Sequence, residues 1–353
     1  MQLQRYLNHS TINAYFKQNK DDFVVTEVPL YEFSGSGEHL ILKLRKKDLA
    51  TWDAITILAK FLNCNIKEFG YAGLKDKNAM TIQHISIHKK YEEALNSFSH
   101  ENIKILEKTY HDNKIKIGHL KGNNFFIRFK KVGLVEKLKI EEALSKIANF
   151  GMPNYFGFQR FGIDENNFEK GKAILDGKLK EKNKNLRQMY INAYQSHLFN
   201  EWLSKRIEIS KLIEAFEPKE IFEKLNLPLE EVKRAKKQKH PLKVFTGDLF
   251  SHYPFGKVFH IEDLEIESEK FMLQDRVPTG LLSGKRVKKS IDIAYTIEKD
   301  YEVNISEDGA RRFAWVFPQD IQSNYKEEKN WFEMQFFLPK GSYATELIAE
   351  VLH

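Results

Sequence analysis

The segment Gly70-Tyr71-Ala72-Gly73-Leu74-Lys75-Asp76-Lys77 sets one aspartate between two lysines, behind two glycines and just ahead of a strand pattern. Such spacing makes a tight, exposed loop. If the lysines converge on the carboxylate they hold it ionised, and an ionised carboxylate serves as nucleophile or base. An ordinary solvated turn has the same composition, and spacing alone favours the turn.

Two further segments carry residue types suited to chemistry or binding. Asn154-Tyr155-Phe156-Gly157-Phe158-Gln159-Arg160-Phe161-Gly162 packs four aromatics, an arginine and two glycines directly after Pro153. It reads as a loop that a nucleic-acid backbone or base can approach, with Arg160 for phosphate, or as a hinge whose aromatics fill a junction. The two readings are compatible. In Lys121-Gly122-Asn123-Asn124-Phe125, Asn123 and Phe125 are two apart and share a face of any strand. An amide for a base edge and a ring for stacking suit a nucleobase pocket; a turn asparagine before a core phenylalanine is the plainer reading. The 12 histidines form no HExxH or comparable pattern, so no metal is expected. No GxGxxG or GxxxxGK[ST] run supports a nucleotide cofactor.

The elements that must position these residues are legible in the hydrophobic periodicity. Segments 23–28, 39–45, 81–87 and 123–131 read as strands, and 103–117 as a hairpin turning at His111-Asp112-Asn113. A helix fits 49–62, capped by Asp48, with Leu49, Trp52, Ile55, Ala59 and Leu62 on one face. A second helix fits 136–148, with Leu138, Ala143, Leu144 and Ile147 inward. Between about 153 and 305 the chain reads as mostly helical, including a long segment over 188–207 that buries Tyr190, Ala193, Tyr194, Leu198 and Trp202. Basic runs gather there at 178–187, 233–243 and 285–289; charge alone makes them solvated helix faces before it makes them RNA contacts. A strand returns at 332–339 and a short helix at about 342–351. The class is α+β. The C-terminal stretch is short for an independent core, which favours one domain, 1–152 together with 306–353, interrupted by an insertion at 153–305.

The whole chain, 353 residues with 56 Lys and Arg against 49 Asp and Glu, carries a net charge of +7. This modest excess fits a soluble protein with a local basic surface. One cysteine, Cys64, excludes an internal disulfide framework and a cysteine-cluster zinc site. The N-terminal segment lacks the apolar stretch of a signal peptide, and no run approaches 18 apolar residues. A cytoplasmic protein without a membrane span is expected.

Taken together, DDFVVTE (21–27), GEHLILKLRKK (37–47), YAGLKDKNAMTIQ (71–83), LKGNNF (120–125), PNYFGFQRFG (153–162) and LPKGSYATELI (338–348) resemble, in order, the TruD family of tRNA pseudouridine synthases. The resemblance spans nearly the whole chain. It implies a pseudouridine synthase core, a mixed and largely antiparallel sheet flanked by helices, with an inserted helix-rich TRUD domain. It implies conversion of uridine to pseudouridine in tRNA, at uridine 13 as in the family prototype, without cofactor, metal or energy source. The family's catalytic aspartate falls on Asp76, which attacks ribose C1′ or assists formation of a glycal. Phe23, Asn123 and Phe125 match positions around the substrate, with the Phe125 ring expected to stack on the flipped base. Tyr343 stands where the family usually has phenylalanine, and its added hydroxyl needs a partner if buried. Lys17 and Lys75 match basic positions that hold phosphate or tune the aspartate. The resemblance implies tRNA as partner, and a monomer is expected because no assembly motif is evident. The rival classes are an RNA-binding protein without catalysis, a synthase acting on other RNAs, and an RNA methyltransferase; the last is disfavoured by the missing glycine-rich cofactor loop.

Overall fold

The structure is a computed structural model and describes residues 3–16, 19–75, 77, 79–162 and 164–353. Asp76 and Lys17 lie outside the described residues. By contacts the chain forms two compact units. One is built from Ile12–Glu141 and Pro318–Gly341, the other from the chain up to Thr11, Glu142–Phe317 and Ser342–His353. These division points differ from the sequence boundaries at 152/153 and 305/306, because the chain's two ends join the helix-rich unit.

The first unit is organised by an eight-stranded sheet. Its strands are β1 (Phe23–Pro29), β2 (His39–Lys46), β3 (Gly70–Tyr71), β4 (Met80–His88), β5 (Ile103–His111), β6 (Leu120–Lys130), β7 (Gln319–Lys326) and β8 (Trp331–Pro339). They run in the order β7-β8-β6-β1-β4-β2-β5, with β3 on β4. β1 and β4 are parallel and every other pairing is antiparallel. The sheet is therefore mixed and largely antiparallel, as expected. Alternation in β2 sends Leu40, Leu42 and Leu44 to one face, where they join Ile85 and Ile87 of β4 beneath helix α1 (Thr51–Phe61). The opposite edge is β7, a mostly exposed strand whose register with β8 shifts between Gln319 and Gln322.

Several expectations change at this level. The inward face of α1 is Thr51, Ala54, Ile55, Leu58 and Ala59, whereas Trp52 is half exposed and packs edge-on against Tyr71. Asp48 does not cap this helix. It adopts a left-handed backbone (φ 55°) and pairs with Lys20 at 2.8 Å, while the Asp53 carboxylate accepts from the Ala50 N–H. Residues 103–117 form no hairpin: β5 pairs with β2 instead. The free edge of β2 offers a full ladder, and Ile103 is buried there in the α1 cluster. Leu138, expected inward, is exposed at 61%, although Ala143, Leu144 and Ile147 are buried.

The helix-rich unit centres on a 32-residue helix, Lys184–Ala215, which buries Ala193, Tyr194, Leu198 and Trp202; Tyr190 is only half buried. It is not purely helical. A four-stranded sheet of Ala310–Phe313, Arg276–Leu282, Leu249–His252 and Val258–His260 packs with it, and Gly280 lies so close to Trp202 that a Cβ there would sit 2.2 Å from the indole. These strands are short and irregularly spaced, so their periodicity is weak. Among the described residues no helix is long and apolar enough to cross a membrane.

Leu58→Ala, at a fully buried site under the sheet, should cost about 2–5 kcal/mol of unfolding free energy in urea. Leu138→Ala, at an exposed site, should stay within about 0.5 kcal/mol; a large loss there would contradict the outward orientation.

Candidate active site

In the sheet unit the structure brings together Lys75, Asn123, Glu27 and His84. β1 and β4 pair only through Val24–Thr26 and Met80–Ile82, and the Glu27 side chain sits where they part. Lys75 Nζ lies 2.9 Å from Glu27 Oε2 and donates to Asn123 Oδ1 at 2.9 Å. The His84 N–H donates to Glu27 Oε1 at 3.2 Å, and His84 Nδ1 is 3.7 Å from the same oxygen. Burial by itself would raise the Glu27 carboxyl. The hydrogen bonds from His84 and the charge of Lys75 outweigh it, and the carboxyl is held below its ordinary range.

The backbone on the N-terminal side of residue 76 is fixed as well. The Lys75 N–H donates to Thr51 Oγ1 at 2.9 Å, and the Thr51 hydroxyl donates to Gln83 Oε1 at 3.0 Å. Lys46, buried at 1% exposure, donates to the carbonyls of Leu49 (2.6 Å) and Lys75 (3.4 Å). The first turn of α1, the end of β2 and the start of β4 thus clamp one short stretch of loop. Glu27, Lys46 and Thr51 were not singled out by sequence reasoning. The available signal was a charged residue at an inward position of an apolar strand, Phe23-Val24-Val25-Thr26-Glu27, where a buried carboxylate requires a cation.

Phe23 and Phe125 also meet. Phe125 lies in a row between Phe23 (centroids 6.2 Å apart, planes 13° apart) and Phe336 (5.5 Å, 24°). Both Phe23 and Phe125 are buried, whereas Asn123 is half exposed at the same strand's entrance. Phe125 and Phe336 are direct partners in the β6–β8 ladder, which sets their rings side by side on one face. The sequence expectation of a free stacking face on Phe125 thus meets a ring that already has two protein neighbours.

Arg160 and Tyr343 belong to the helix-rich unit. Arg160 donates to Ser196 Oγ at 3.0 Å and its guanidinium lies 5.5 Å from the Phe156 ring centroid. Tyr343 packs at 6.2 Å from the same ring, and a Cβ on Gly157 would come within 2.9 Å of it. Arg312 covers Phe156 at 3.8 Å, and desolvation lowers its guanidinium to about 10. Tyr155, Phe156 and Phe161 are buried, so this aromatic segment is in large part packing.

About half of the basic residues in these runs are answered by acids. Arg187 pairs with Glu307, Lys233 with Glu230, Arg234 with Glu231 and Glu265, Arg286 with Asp308, and Lys289 with Glu302. The helix-rich unit holds 31 Lys and Arg against 29 Asp and Glu, and the sheet unit 25 against 20. Most of the positive excess therefore sits on the sheet unit, not on the region with the basic runs. Among the described residues no cluster of three or more His, Cys, Asp or Glu side chains is placed to hold a metal ion.

Comparison with known proteins decides the family. The model for tRNA pseudouridine synthase D (TruD) matches residues 2–184 and 179–351. The chain belongs to the tRNA pseudouridine synthase D family. It is accordingly a pseudouridine synthase, an isomerase. A relative from Sulfurimonas denitrificans named tRNA pseudouridine synthase D is 55% identical over 98% of this chain and 97% of its own. One of the same name from Helicobacter pylori is 46% identical over 100% and 96%. The fold is shared with a Methanosarcina mazei crystal structure described as TruD, at a TM-score of 0.72, 21% identity and coverage of 99% of this chain and 95% of that one.

Glu27→Gln leaves the Lys75 ammonium buried without its counter-ion and should cost about 3–5 kcal/mol at pH 7 by urea denaturation. Because the folded carboxyl lies below its ordinary value, its contribution is present above about pH 4.3 and is lost as pH falls through the folded value. The variant should lack this part of the acid-induced loss; an unchanged acid profile would remove Glu27 from the account.

Proposed function

We propose that this enzyme isomerises uridine 13 of tRNA, with Asp76 as nucleophile and no cofactor. Family membership and the match of Asp76 to the family's catalytic aspartate support the reading. The observation that carries it is the clamped backbone at Lys75, held by Thr51 and Lys46 with its side chain on Glu27 and Asn123. Fixing the neighbour of a nucleophile limits its conformations before substrate arrives, which is how positioned groups lower a barrier.

The target base must leave its stack for C1′ and C5 both to be reached, at a cost of a few kcal/mol. Asn123 supplies an amide for the base edge, and Phe23 and Phe125 the apolar wall behind it. The Asp76 carboxylate either adds to C1′ or draws off the C2′ proton to give a glycal. In both routes the C1′–N1 bond breaks and the uracil turns; the C1′–C5 bond then forms as the Asp76–C1′ ester bond breaks or, in the glycal route, as Asp76 returns the proton to C2′. C5 then releases its proton and N1 gains one, so the reaction is balanced without an outside reagent. Lys17 and Arg160 are assigned to phosphate, Lys75 to setting the aspartate's surroundings, and Tyr343 to an aromatic contact. The chain from 1–152 with 306–353 is taken as the catalytic domain and 153–305 as the inserted domain. The enzyme is taken to work as a cytoplasmic monomer.

Tritium release from tRNA carrying uridine labelled at C5 tests this. Wild type should release label, and Asp76→Asn should release it at least about 10⁴-fold more slowly while keeping tRNA affinity within about twofold. Equal losses of affinity and turnover would make Asp76 a binding residue, and no release by wild type would sink the activity.

A further inference from the structure

The loop that leads to residue 76 carries a side chain that the fold does not use. Leu74 is 63% exposed, although its neighbour Lys75 is held at backbone and side chain by Thr51, Glu27 and Asn123. A Cβ on Gly73 would meet nothing closer than a Leu120 methyl at 4.0 Å, so the backbone beside Leu74 is open to approach. The turn ahead of β6 is tied to this loop. The Gly118 N–H donates to the Ala72 carbonyl at 2.8 Å, and Ala72 and Ile115 share a small buried cluster on which Leu120 packs. The Lys340 N–H in turn donates to the Lys121 carbonyl at 3.1 Å. These joined stretches present three exposed lysines, Lys116, Lys121 and Lys340, none of which makes an ion pair among the described residues. Lys121 lies over the Phe337 ring at 5.9 Å, and Lys340 Nζ reaches only the Gly118 carbonyl, at 3.5 Å.

A single exposed leucine ordinarily needs no explanation. Leu74 differs in its position and in its stiffness. It precedes Asp76 by two residues, so the chain itself keeps the two Cα atoms within about 7 Å. Its backbone runs directly into the clamped Lys75, and such a side chain can push against a partner without giving way. A uridine drawn out of a stack leaves a gap with flat apolar faces above and below and phosphates on either side. An apolar side chain fills such a gap, and uncommitted ammonium groups answer the phosphates. We infer that Leu74 is a positioning residue of the isomerisation, entering the RNA stack where the target uridine leaves it. Lys116, Lys121 and Lys340 hold the flanking phosphates. The inference rests on the tRNA-modifying reading given above and adds to it the means by which the base is kept out.

The test uses the full chain and a tRNA transcript with uridine tritiated at C5, with enzyme in saturating excess so that one turnover is read. Leu74→Ala should slow release about 10- to 100-fold, because the unstacking cost is no longer offset, while transcript affinity stays within about twofold. Leu74→Met keeps an apolar side chain of similar length and should restore the rate to within about threefold. Ile117→Ala is the control: Ile117 is 76% exposed on the neighbouring turn, and its loss should slow release less than about threefold. Lys116→Ala and Lys340→Ala should each weaken transcript binding about 3- to 10-fold, with the log-log salt slope shallower by about one. A second readout is independent of turnover. With 2-aminopurine on the 3′ side of uridine 13, fluorescence should rise when Asp76→Asn binds and stay flat when the Asp76→Asn, Leu74→Ala double variant binds. Thermal melts check that each variant is folded. Release by Leu74→Ala at the wild-type rate, an equal loss in Ile117→Ala, or a fluorescence rise that does not need Leu74 overturns the wedge and leaves the isomerisation standing. Lysine variants that bind as wild type does overturn the phosphate contacts. No tritium release by wild type, with a fluorescence rise that needs Leu74, overturns the activity and leaves the wedge standing.

Discussion

A carboxylate buried between two strands is tolerated only where a cation and further hydrogen bonds answer it. In the sheet unit that carboxylate is Glu27, and the cation is Lys75. Much of the local geometry depends on this pair. β1 and β4 are parallel neighbours for three residues and then separate, and the ion pair with the His84 N–H occupies the place where ladder bonds stop. The pair therefore joins the sheet to the loop that precedes residue 76. A loop that is tight because of its glycines becomes a loop with a fixed position because of its lysine.

How far the chain could be read without coordinates differed by the kind of information required. β1, β2, β4, β6 and β8 were legible because alternating or apolar runs of the right length record burial directly. The partner of β5 was not, since pairing with β2 is a tertiary choice that leaves no mark on residues 103–111 themselves. The inward face of α1 was partly legible. Periodicity admits both Trp52 and Ile55, and only the position of the sheet decides that Trp52 faces outward.

The site shows the same limits. Lys75, Asn123, Phe23 and Phe125 were found through family motifs, and they do gather in pairs. Glu27 was overlooked because what makes it special, a buried lysine 48 positions later in the chain, cannot be inferred from a strand. The basic runs, read by default as solvated helix faces, show the converse. Several of their acidic partners lie far away in sequence, at Glu265, Glu307 and Asp308, so part of the local excess of lysine and arginine is neutralised in space.

The outer strand β7 has a consequence for life in a crowded solution. A sheet that ends in a strand with free N–H and C=O groups offers a template on which another chain can add itself. Here that border reads Gln319-Asp320-Ile321-Gln322-Ser323-Asn324-Tyr325-Lys326, with Asp320 in a left-handed conformation (φ 54°) and a break in register beside it. An interrupted, polar and charged border cannot present a long straight ladder to a newcomer. The broad sheet that the fold requires is thus closed off on this side by composition and backbone shape.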